Sequence, residues 1–128
     1  MRFLTVEEVL NIHDDQLSDD CGGGPAGLLS LDLLYSAVAQ PEATFDGELL
    51  HPTLWDQAAA YAYHLARNHA FMDANKRTAL NATLTFLQLN GQPLREDAND
   101  ELVEMMIKIA DGQLSKEAVS SLLRSYAA

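Results

Sequence analysis

Between positions 69 and 77 the chain reads His69-Ala70-Phe71-Met72-Asp73-Ala74-Asn75-Lys76-Arg77, so an imidazole, a carboxylate, an amide and two cations fall within nine residues. Imidazole exchanges a proton near neutral pH, which makes His69 the candidate general base for a hydroxyl. The Asp73 carboxylate is a hard oxygen donor, suited to Mg²⁺ held alongside phosphate oxygens. If Asn75-Lys76-Arg77 opens a helix, the backbone N–H groups of its first turn and the two side-chain cations would meet the same anion. Base, metal ligand and phosphate site would then face one cavity.

Each residue also has a purely structural reading. Asn75 can serve as an N-cap, Asp73 can complement a helix dipole, Phe71 can anchor the loop in the core, and a histidine at a helix end is commonly structural. The argument for chemistry is that all of these would have to hold together. The other histidines do not compete. His64 precedes His69 by five residues, a spacing that puts the two on different helix faces, and no zinc-protease pattern surrounds them. His13, His51 and His64 are read as non-catalytic.

Helices must position this loop. Thr5-Val6-Glu7-Glu8 has the form of a capping box, and Val6, Val9, Leu10, His13 and Leu17 follow at helical spacing, which predicts a first helix to about Leu17. The run from Asp19 through Gly22-Gly23-Gly24-Pro25 to Gly27 reads as the loop that ends it. A second helix is predicted from about Ser30 to Ala39, closed by Gln40-Pro41 because a residue before proline is pushed out of helical geometry. Phe45 to Leu50 reads as a loop or short hairpin turning at Asp46-Gly47. Thr53 caps a helix from Leu54 to about His69, and Asn75 caps another from Lys76 to Leu89 that stops at Asn90-Gly91. Both are apolar around most of their circumference and should form the central hairpin of a bundle. Asn99 to Ala110, followed by Gly112, and a Ser115-capped helix to about Tyr126 complete the chain. An all-α fold in a single domain, 1–128, follows.

Composition agrees with a folded chain: 128 residues with 48% hydrophobic, 4 Pro and 7 Gly. The net charge of −11 argues against a broad nucleic-acid-binding surface. Within it, Gln57 to Arg95 holds Arg67, Lys76, Arg77 and Arg95 against the single acid Asp73, a +3 island in an acidic protein. Such an island suits a small anionic ligand. Cys21 is the only cysteine and is read as an ordinary loop thiol. The first residues carry no apolar run of signal-peptide length, and nothing approaches the ~20 apolar residues that span a bilayer, so a soluble, cytoplasmic protein is expected.

The loop resembles the signature of the Fic/Doc superfamily, and its Asp-Ala-Asn-Lys-Arg ending resembles the Doc branch. Further segments similar to that branch occur in the same order, among them Gly23-Gly24-Pro25-Ala26-Gly27, Ala58-Ala59-Ala60-Tyr61, Arg77-Thr78-Ala79-Leu80 and Leu89-Asn90-Gly91. The resemblance implies a toxin of a toxin–antitoxin module that transfers the terminal phosphate of ATP, with Mg²⁺, to elongation factor Tu and arrests translation. It further implies neutralisation by a Phd-type antitoxin. His69 would be the base, Asp73 the metal ligand, and Asn75, Lys76 and Arg77 the phosphate binders. AMP-transferring relatives have Gly where Lys76 stands and a second Arg where Leu80 stands, and a side chain at 76 blocks the close backbone approach that glycine allows. This favours the kinase arrangement over AMP transfer; a catalytically silent interaction module is the alternative of another class. Where many relatives carry Arg-Asp and a later Gly after the glycine-rich loop, this chain has Leu29-Ser30 and Asp32.

Overall fold

The computed structural model describes residues 2–21, 28–70 and 74–128. Among them are six α-helices: α1 (Val6–Cys21), α2 (Leu31–Ala39), α3 (Leu54–Arg67), α4 (Asn75–Leu89), α5 (Asn99–Ala110) and α6 (Lys116–Ser125). Two short 3-10 turns lie at Gln40–Glu42 and Glu96–Ala98. The only sheet among the described residues is a ribbon of β1 (Thr44–Phe45) and β2 (Glu48–Leu49), antiparallel, with Thr44 opposite Leu49. Asp46 and Gly47 both have positive φ, 52° and 80°, as the tight turn of a two-residue hairpin requires. The fold is all-α, as the periodicity predicted.

Helix α3 is the axis of the molecule, packing against α2, α4, α5 and α6. Its residues Gln57 through Ala62 are buried without a break, and four of those six are alanine, whose small side chain lets neighbouring backbones approach on every side. Tyr61 fills the space between α3 and α4. Its ring lies 4.9 Å from that of Phe86, which in turn stacks on Phe3 at 5.8 Å. The Tyr61 hydroxyl accepts the Leu4 N–H at 2.8 Å, and burial pushes its phenol up to about 12. On α4, Thr78, Ala79, Ala82, Thr83, Phe86 and Leu87 face the core, and the buried Thr83 hydroxyl donates to the Ala79 carbonyl at 2.7 Å.

Local caps set most boundaries. Thr5 and Glu8 exchange the two bonds of the capping box, at 2.9 and 3.1 Å. Ser30, Thr53 and Ser115 accept the N–H of Leu33, Asp56 and Ala118, each three residues on. Four expectations need correction. Helix α1 runs to Cys21 rather than about Leu17, since the sequence has no Gly or Pro before Gly22, so Cys21 ends a helix instead of sitting in a loop. Gln40 stays helical, with φ −58° and ψ −43°; the missing N–H of Pro41 tightens the chain into a 3-10 turn, and Ala43 is the residue that becomes extended. Helix α3 stops at Arg67, two residues short of His69, and Asn75 is the first residue of α4 rather than its cap. Both follow from the left-handed geometry of His69 and Ala74. The glycine-rich segment 22–27 and Phe71 lie outside the described residues.

Candidate functional site

The end of α3 and the start of α4 are each made by a residue in left-handed geometry. After Arg67 the Asn68 N–H closes the last turn on the His64 carbonyl at 2.9 Å, and His69 then takes φ 51°. A left-handed residue cannot continue a right-handed helix, so His69 stands clear of α3 on a sharp corner. Ala74, φ 62°, is the mirror of this arrangement at the entry to α4. Its carbonyl accepts the Thr78 N–H at 2.9 Å, so Asn75, Lys76 and Arg77 form the first helical turn. The N–H groups of such a turn point outward along the axis and carry the positive end of the helix dipole.

Helix α2 pins the beginning of the loop. The Ala70 carbonyl accepts the N–H groups of Leu29 at 2.8 Å and Ser30 at 3.2 Å, and the Asn68 amide donates to the Leu33 carbonyl at 3.3 Å. Leu29-Ser30 therefore acts here through its backbone, with Ser30 also capping α2.

His69, Asn75, Lys76 and Arg77 all line one cavity of about 290 Å³, with Ala66, Ala74 and Ala110 as its apolar wall. Asn75 is half-buried, whereas His69, Lys76 and Arg77 are exposed. Among the described residues neither Lys76 nor Arg77 forms an ion pair, so both charges remain available to a ligand. Asp73 lies outside the described residues. Among those described, no group of three or more His, Cys, Asp or Glu could hold a metal.

The +3 island of the sequence is divided in space. Arg67 points to the end of α5, where its Nη1 donates to the Ile109 carbonyl at 2.9 Å, and Arg95 pairs with Asp97 at 3.2 Å beside a separate hollow. Only Lys76 and Arg77 of the four reach the cavity. Conversely, Ala66 and Ala110 escaped the sequence reading: an alanine carries no chemical signal, and Ala110 arrives from a helix distant in the chain. His51 and His64 belong to another cluster, where the Lys116 Nζ lies 3.2 Å from the Nε2 of His51 and 3.1 Å from that of His64. Burial, and then the Lys116 charge, hold His64 down at about 4, and the same two causes lower His51.

The sequence model of the Fic/DOC family matches residues 3–87. The chain is 41% identical over 107 residues to the protein named Toxin Doc of Mycolicibacterium smegmatis (strain ATCC 700084 / mc(2)155), covering 83% of this chain and 82% of that protein. It is also 33% identical over 124 residues to Protein kinase doc of Escherichia phage P1, covering 97% and 94%.

Proposed function

Because this chain belongs to the Fic/DOC family, we propose that it is the toxin of a toxin–antitoxin module and acts as a protein kinase, moving the terminal phosphate of ATP to a hydroxyl of a translation factor. The observation that carries this reading is the convergence of His69, Asn75, Lys76 and Arg77 on one cavity at the N-terminus of α4. Similarity to proteins named as a toxin and as a protein kinase supports the same class of activity.

In this reading the ATP phosphates lie at the first turn of α4, against its N–H groups, Lys76 and Arg77. Their charge matches the negative charge of the phosphates, and fixed donors in a walled cavity need little reorganisation during reaction. His69 takes the proton of the acceptor hydroxyl. That oxygen bonds to the terminal phosphorus, the bridging P–O bond breaks, and ADP departs with its electron pair. Asp73 is the residue that would hold Mg²⁺, which when bound offsets charge on the phosphates. The Lys76 side chain in the cavity lining supports terminal-phosphate transfer over AMP transfer, since glycine there would let the backbone close on the phosphates.

Elongation factor Tu is the proposed acceptor, and a Phd-type antitoxin with a helical segment seated in a groove is the proposed partner. Incubating the chain with elongation factor Tu, Mg²⁺ and ATP labelled at either the γ- or the α-phosphate tests the reaction. Label entering the acceptor only from the γ-position is the expected result. Label from the α-position would make the protein an AMP-transferase and overturn the role given to Lys76.

A further inference from the structure

The carbonyl end of α5 abuts the cavity, because Ala110, its last residue, forms part of the wall. A helix C-terminus carries the equivalent of about half a negative charge, which opposes an anion bound in that space. Yet the facing elements supply a counter-charge. Arg67, the last residue of α3, lays its guanidinium over the Tyr63 ring, 5.6 Å from the centroid, and donates from Nη1 to the Ile109 carbonyl at 2.9 Å. That carbonyl also accepts the Gly112 N–H at 3.0 Å, while the Gln113 N–H closes on the Lys108 carbonyl at 2.9 Å. Gly112 leaves room for this approach. Its φ of 77° favours glycine, and a Cβ there would sit 3.2 Å from the same Nη1.

We propose that Arg67 is a positioning residue of the cavity: it fastens the carbonyl end of α5 to the last turn of α3 and offsets the negative end of that helix, so that the wall formed by Ala66 and Ala110 accepts polyphosphate. This rests on the anion reading of the cavity above. Arg67 itself does not line the space, so its effect reaches the ligand through the field and the placement of α5 rather than by contact.

Tripolyphosphate, which carries the charge of the ATP tail without a nucleoside, is the probe. It is titrated into the full chain and into Arg67→Gln and Arg67→Lys at low and at physiological salt, with affinity read by calorimetry and the site by amide shifts of Asn75 to Arg77. Arg67→Gln should bind about two- to fivefold more weakly at low salt, with the difference shrinking as salt screens the field. Arg67→Lys, which keeps the charge, should restore most of the affinity. If Arg67→Gln loses the fold, Arg67→Met takes its place as the uncharged variant that keeps the apolar stem. Binding by the uncharged variant equal to wild type at both salts would overturn the proposal while leaving the anion site standing, as would an Arg67→Lys no better than Gln. A wild-type chain whose Asn75 to Arg77 amides do not respond to tripolyphosphate would instead overturn the anion reading, and Arg67's role with it.

Discussion

His69 and Ala74 are non-glycine residues held at positive φ, 51° and 62°, on either side of the signature loop. Such geometry costs roughly 1–2 kcal/mol per residue for a side chain with a Cβ, although histidine tolerates it better than most. The gain is placement: a helical His69 would remain on the flank of α3, whereas the left-handed corner puts it in the wall of the cavity that Asn75, Lys76 and Arg77 share. The variant of choice is therefore His69→Asn, which removes the base but accepts the same backbone. Phosphate transfer should fall by about two to four orders of magnitude, while the melting temperature stays close to wild type. Near-normal transfer in a labelled-ATP assay would take His69 out of the mechanism.

At the scale of elements, the strain at Ala74 has its own consequence. Glycine substituted for a buried alanine in mid-helix, as in Ala82→Gly, should destabilise by about 1–2 kcal/mol through lost helix propensity and a lost methyl. Ala74→Gly removes the same methyl but relieves a left-handed Cβ, so denaturant melts should find it within about 0.5 kcal/mol of wild type. A second element-level consequence concerns α3 and α6, joined where Lys116 sits between His51 and His64. His64 is held down at about 4 against an ordinary 6.5, so below pH 6.5 the unfolded chain binds a proton that the folded chain refuses. Its contribution to stability is present above pH 6.5 and declines as pH falls toward 4. Melting temperatures taken across that window should drop, and His64→Gln should flatten the slope; an unchanged slope would assign the acid sensitivity to other groups.

The whole molecule has a net charge of −11 and gathers two cations into one small cavity, a distribution that fits a polyanionic small molecule better than a nucleic-acid strand. None of the described helices is long and apolar enough to cross a membrane. If the chain is a toxin, its expression alone should arrest growth, and co-expression of the small reading frame beside it should restore growth. Harmless accumulation of folded protein, scored by growth curves and a thermal melt, would favour a silent interaction module. What the sequence by itself determined was whatever rests on bonds between near neighbours: the caps at Thr5, Thr53 and Ser115, the glycines 91 and 112 after α4 and α5, the Asp46-Gly47 turn, and the residue types of the 69–77 loop. Three to six consecutive residues are enough to write such a signal. What only the tertiary structure decided rests on partners far apart in the chain. It turned His69 out of α3, removed Arg67 and Arg95 from the supposed basic island, set Lys116 between two histidines, and brought Ala110 to the wall of the cavity. Packing chooses those partners, because a carbonyl or a methyl offers the same chemistry wherever it occurs and becomes specific only when another element arrives beside it.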